Sequence, residues 1–387
     1  MRSVWCVSMA WTRRLPIGLF AFAMLGLALP SGAMAQSSVG RAANTATGES
    51  LRDAVDQQQN EALNSSGVGA GGSGAGAAIG AGASPTGRLR SSSHDALKLQ
   101  NPPDENNYAW KTKEASVFGT GVYTLPGTVL GGQMKVSIFG GQNWLSLEMK
   151  NGGGNFLDAD NNQFGKARNE SILFGGTALW SQNNTYIVGT MVGMWGQTSL
   201  TDAVDFCNES PPAGPGGCPA RHYSYDTSGF TGSLTAGQVF PLSKSASGPM
   251  LDLRAAVGYT QNTGESFFNF EGDEQKYKFS TWTLTGSATL FWNITQSNAA
   301  LLRPYIQGYV RQEIGYNNKL HFTIAFPDPG DPKSGLVHWD QAHTYGGVDL
   351  GATYTLGKMT LGAAAYYDMS ADDRTFGGRL GASWKLN

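Results

Sequence analysis

The chain has 387 residues, of which only 14% are charged, with 53 glycines, 10 tryptophans and a formal net charge of −2. So neutral a balance excludes an electrostatic grip on nucleic acid. Few charges and many aromatics suit a membrane, but a mean hydropathy of −0.25 and the lack of a long apolar run beyond the N-terminus exclude a bundle of spanning helices. What remains is alternating strands, in which only every second side chain meets lipid.

The first element is a targeting segment. Arg13 and Arg14 precede an apolar stretch from Leu15 to Leu29, and Ala33-Met34-Ala35 supplies small residues at −3 and −1 of a cleavage site. This reads as a signal peptide over residues 1–35, cut before Gln36. Of the three cysteines, Cys6 leaves with it, and Cys207 and Cys218 remain in a compartment that permits disulfides. Pro and Gly between the two allow the bend of a bridged loop.

Residues 36–114 differ in composition from everything after them. Ser50 to Asn64 has helical propensity with Leu51, Ala54, Val55 and Leu63 as its apolar face, and Gly67 to Ser84 is a Gly/Ala linker. A formal G-x-G-x-x-G at Gly69, Gly71 and Gly74 has no preceding strand, so repeat composition explains it. Too little apolar surface is present to offset the entropy of ordering, and most of this region is expected to be disordered when alone.

From residue 115 to 387 the period is 2. Strands are expected near 116–125, 133–149, 169–181, 185–198, 223–240, 250–262, 278–292, 302–315, 343–356, 359–369 and 376–386. In the last of them Phe376, Leu380, Trp384 and Leu386 face one way, and Arg379, Gly381, Ser383 and Lys385 the other. Long connections alternate with short ones, as in outer-membrane barrels, and tryptophans such as Trp144, Trp180, Trp195, Trp282, Trp292, Trp339 and Trp384 gather near strand ends like an interfacial girdle. The fold class is therefore all-β, an antiparallel transmembrane β-barrel. Eleven segments are visible and such barrels close on even numbers, so twelve strands are expected, with Asn107 to Lys113 as a short first strand, or else ten.

Asp252, Arg254, Arg311, Glu313, Asp349, Asp368, Arg379 and Lys385 fall on the inward side of their strands and are the candidate lumen lining. On this reading Leu253→Arg puts a charge against lipid, whereas Arg254→Leu merely alters the lining. No catalytic set, cofactor or metal site is assigned. His338 and His343 flank Asp340, but an odd spacing points the two histidines to opposite faces of a strand. Asn106-Asn107 reads as a turn.

Five pieces in order carry a resemblance: Gly229-Phe230-Thr231-Gly232-Ser233-Leu234-Thr235-Ala236-Gly237, Leu251-Asp252-Leu253-Arg254, Thr285-Gly286-Ser287-Ala288, Leu302-Arg303-Pro304-Tyr305 and Phe376-Gly377-Gly378-Arg379-Leu380-Gly381. From Phe230 onward the chain resembles the β-domain of autotransporters, the type V secretion proteins, with an unusually short passenger region. The resemblance implies an outer-membrane barrel of a Gram-negative bacterium, a monomer in contact with lipid, whose N-terminal segment threads the lumen and whose preceding residues reach the cell surface. Ser91 to Leu99 is the expected threading segment. Arg379, Gly381, Trp384 and Leu386 then match the signal read by the barrel-assembly machinery, although Asn387 follows where an aromatic is usual. The alternative is a passive channel or structural barrel whose N-terminal region stays periplasmic.

Overall fold

The computed structural model describes residues 39–66, 86–100, 108–151, 163–202, 221–245, 247–265, 267–268, 274–323, 334–339, 344–371 and 373–386. It begins with a helix, α1, over Val39–Ser66. The strands follow: β1 Thr86–Gln100, β2 Tyr108–Thr124, β3 Gln133–Asn151, β4 Gln163–Gln182, β5 Thr185–Asp202, β6 Arg221–Pro241 and β7 Pro249–Gly264. After the two-residue β8, Phe267–Phe268, come β9 Glu274–Trp292, the two-residue β10 Ile294–Thr295, and β11 Leu301–Thr323. The last four are β12 Ser334–Trp339, β13 Thr344–Leu356, β14 Met359–Met369 and β15 Asp373–Lys385.

Setting aside β8, β10 and β12, which only extend hairpins beside β9 and β11, twelve antiparallel strands form a closed barrel. Each pairs with its chain neighbour, and the seam closes where β1 pairs with β15, from Arg88 opposite Lys385 to Gln100 opposite Asp373. The twelve-strand expectation holds, but the wall starts earlier than residue 115. Asn107 to Lys113 belongs almost wholly to β2, and the first strand is β1, the segment expected to thread the lumen. Its residues alternate as a wall strand must, with Arg88 and Arg90 buried and Leu89 exposed.

One rim carries the short links. Asn183 and Asn184 join β4 to β5 with φ of 46° and 68°, the left-handed pair that a two-residue hairpin turn requires and that asparagine tolerates. Links β2–β3, β6–β7, β9–β11 and β13–β14 lie at this rim, and the longest connections, β3–β4, β5–β6 and β11–β13, lie at the other together with the three-residue link β14–β15. The strands run from 11 residues in β14 to 23 in β11. Since about 9 to 11 tilted residues cross a bilayer, the longest extend well past the height of a membrane at the long-connection rim.

The two faces of the wall differ as period 2 demands. Outside, Ile138, Ile172, Phe174, Met191, Trp195, Leu234, Trp282, Leu284, Leu350, Phe376 and Leu380 are exposed, Ile172 by 63%. Inside, Thr231, Thr260, Thr281 and Thr289 are buried, and hydroxyl pairs such as Thr198–Thr227 at 2.7 Å and Thr231–Thr260 at 3.0 Å link adjacent strands. So large a band of exposed apolar side chains, on a barrel that buries many threonines and charged residues on its inner side, has a solvent explanation in lipid.

Candidate functional site

Helix α1 is enclosed by the barrel. Its side chains bond to β1, β2, β6, β7, β11 and β15 and its apolar face packs on β2 to β5, so strands surround it. The helix brings little stability of its own, having no acidic residue in its first turn and no basic residue in its last. A glycine, Gly48, lies mid-helix, where it weakens an isolated helix by about 1 kcal/mol. The ring of Phe279 explains it: a Cβ at Gly48 would come within 2.5 Å of Phe279 Cε1. Opposite, Gly229 of β6 makes room for Leu51, whose Cδ1 a Cβ there would meet at 2.5 Å.

The interior that receives the helix is two-sided. Leu51, Ala54 and Val55 form one buried cluster with Phe118, Phe139, Leu173, Val192 and Met194 of β2 to β5. In that quarter the wall is apolar on both faces, since Ile138, Ile172 and Met191 of the same strands point outward. The opposite face of the helix is polar and meets charge. Arg52 Nη1 lies 3.0 Å from Glu313 Oε1, Arg88 Nη1 lies 3.4 Å from Glu61 Oε1, and Arg379 Nη2 lies 3.7 Å from Asp53 Oδ1. Gln59 accepts from Thr235 at 2.7 Å, and Arg254 donates to Asn60 at 2.8 Å.

Most of the charges expected to line the lumen are drawn together there. Asp252 is fully buried, holds Arg254 at 2.7 Å and accepts from Tyr186 at 2.8 Å. Arg311 lies 3.7 Å from both Glu313 and Asp368, and Arg379 bridges Asp53 and Asp349. Lys385 is half-buried near the short-link rim. Reading the sequence missed Arg88, Arg90, His94 and Glu114, and with them the helix partners Arg52, Asp53 and Glu61. Spacing by two puts Arg88, Arg90 and His94 on one face of β1, a basic stripe that answers the acids of the helix.

The direction of the helix follows from its partners. Asn44 and Thr45 near its start bond to Asn262 and Asn318, beside the long connections. Leu63 near its end packs with Leu179, Tyr186, Val239 and Phe291, beside the short links. The helix thus enters at the long-connection rim and ends at the rim where β1 begins. Around its polar face a cavity of about 210 Å³ remains, lined by Asp53, His94, Glu114, Arg254, Asp349 and Arg379 among others.

Several expectations lie outside the described residues: the signal peptide, the Gly/Ala linker, Asn106-Asn107, Asp340, His343, and Cys207 with Cys218. His338 falls in β12, which pairs with β11 opposite Lys319 and is not one of the twelve wall strands.

Comparison with known proteins matches no family model and no curated sequence. Among the solved structures that share the fold are three autotransporter domains. The β domain of the Bordetella autotransporter BrkA aligns over 78% of this chain and all of its own, with a TM-score of 0.52 at 14% identity. The transport unit of autotransporter AIDA-I from Escherichia coli aligns over 85% of this chain and 98% of its own, at 0.52 and 13% identity. The translocator domain of autotransporter NalP from Neisseria meningitidis aligns over 88% and 99%, at 0.53 and 13% identity. The chain therefore has the fold of an autotransporter translocator domain. Two such independent lines, the order of motifs and the likeness of fold, agree.

Proposed function

We propose that this chain is an outer-membrane β-barrel of autotransporter type that carries its own N-terminal segment through its lumen toward the cell surface. The observation that carries the reading is the direction of α1. A helix that starts at the long-connection rim and returns to the start of β1 at the short-link rim has the polarity of a segment drawn outward, provided the long connections face the outside. With cleavage before Gln36, only Gln36, Ser37 and Ser38 precede the helix. On this reading the exported region is essentially the helix itself, retained as a plug. A passive open channel fits less well, because α1 stands within the ring of strands and bonds to its wall.

A tag inserted after Gln36 is expected to be removed by protease added to intact cells, while the barrel survives. A tag protected until the outer membrane is permeabilised would overturn the outward reading and support the periplasmic alternative. Arg379, Gly381, Trp384 and Leu386 remain the proposed assembly signal. Because Arg379 is occupied by Asp53 and Asp349 in the folded barrel, the machinery would read it before closure.

Membrane insertion is tested on the outer face. Leu234, 53% exposed in the apolar band, is expected to cost about 2 to 4 kcal/mol on replacement by Arg near the bilayer midplane, and less toward either interface. Urea unfolding from lipid vesicles measures it. An unchanged midpoint would mean that this band does not face lipid.

A further inference from the structure

Beside the residual cavity, one donor atom from each of Asp53, His94 and Glu114 lies within 4.8 Å of the other two. They come from three elements: the helix, the seam strand β1 and its neighbour β2. His94 Nδ1 stands 3.2 Å from Asp53 Oδ2 and 3.7 Å from Glu114 Oε2. Ligands held about 2.0 to 2.1 Å from a tetrahedral zinc ion stand ~3.3 Å from one another. We propose that these three residues bind a zinc-like divalent ion that clasps the lumen helix to the wall.

The surroundings of the trio support a built site, because each group has its second atom held by a different neighbour. Asp53 Oδ1 faces Arg379 at 3.7 Å. Glu114 Oε1 accepts from Ser50 Oγ at 2.9 Å. His94 Nε2 is 2.6 Å from the Tyr366 hydroxyl. Without an ion, Nδ1–H faces the two carboxylates as a donor. An ion would displace that proton and take the Nδ1 lone pair, with Nε2–H then donating to the Tyr366 oxygen, which is how a ligating histidine is ordinarily oriented by its outer neighbour. All three residues also line the cavity, leaving room for a water as the fourth ligand. One imidazole with two carboxylates suits zinc, whereas magnesium and calcium favour all-oxygen sets. Among the residues lining the cavity six carboxylates stand against four arginines, which leaves negative charge for the ion to neutralise.

This inference rests on the helix being seated in the barrel, as proposed above. The test is calorimetric titration of the chelator-washed, full-length protein in detergent with zinc chloride. One zinc per chain, retained in excess magnesium, is expected. His94→Gln and Glu114→Gln should each weaken it by at least about a hundredfold, and Tyr366→Phe, which removes no ligand, by about 10- to 100-fold. Faster gel migration of unboiled samples shows that each variant still forms a barrel. Absence of zinc binding in the wild type, or affinity unchanged by His94→Gln, overturns the proposal and leaves the trio as an ion-pair bridge only. The surface-tag result is read independently: a protected tag sinks the outward reading, while zinc affinity that depends on His94 and Glu114 still upholds the clasp.

Discussion

Deleting Val39–Ser66 from the chain is expected to turn a plugged barrel into a conducting one, raising single-channel conductance in planar bilayers by about tenfold or more. Twelve strands enclose a lumen between that of eight-stranded barrels, which side chains fill, and that of porins, which hold an aqueous channel. Without the helix nothing among the described residues occupies that space. The deletion also uncovers Phe118, Phe139, Leu173, Val192 and Met194, now packed on Leu51, Ala54 and Val55, so the empty barrel should be less stable as well as leakier. Each fully buried Leu contributes about 1.5 to 3 kcal/mol. A full-length variant with Leu51→Asp and Leu63→Asp is the companion measurement, since it keeps the chain length and weakens only the seating. It should flicker between closed and open levels. Conductance that stays at the wild-type level in both proteins would remove the plug from the mechanism.

The second large effect is Arg254→Leu, expected to lower barrel stability by about 3 to 5 kcal/mol, as for breaking a buried ion pair by removing one partner. Taken from the sequence alone, this substitution merely repaints a wet lining. In the structure Asp252 is fully buried, Arg254 holds it through two nitrogens at 2.9 and 2.7 Å, and Tyr186 donates to its other oxygen. Leucine would take the Arg254 guanidinium away from that carboxylate and remove the donor to Asn60 of the helix as well. Asp252→Asn placed in the same chain should recover most of the loss, because the charge that Arg254 balanced is then gone. Chemical unfolding in vesicles reads all three proteins. A single variant as stable as wild type would show that water reaches Asp252 and screens it.

How much of this was legible depended on which face of a strand carried the signal. From β7 onward the two faces separate cleanly: Trp282 and Leu284 lie outside, and Thr281, Thr283 and Thr289 are buried. Such strands announce themselves. In β3 to β5 the alternation weakens because Phe139, Leu173, Val192 and Met194 are apolar and inward, serving the helix. That blurred pattern was itself the mark of the helix seat, visible only once a partner for it was known. β1 was mistaken for a threading segment since its outward positions include Ser91, Ser93 and Asp95, which leaves no apolar stripe to detect. The helix was half seen: its apolar residues Leu51, Ala54, Val55 and Leu63 were identified as one face, but nothing local could say that a ring of strands would supply the other half of its environment. Charged residues facing inward could be enumerated from parity alone. Their partners could not, because Arg52 and Glu313, or Asp53 and Arg379, meet only through tertiary structure.

The seam between β1 and β15 makes enclosure a question of order. It joins the first wall strand to the last, so the wall has a gap until the C-terminal strand is in place. Pairings this distant along the chain form late and slowly. The helix, by contrast, is made before any strand. It can therefore be drawn outward along a still-open trough and sealed in by the final hairpin, rather than through a finished ring. On that ordering Arg379 of β15 has a timing role: by reaching Asp53 across the seam strand's edge, the last strand would register whether the helix has already arrived before the two edges zip together.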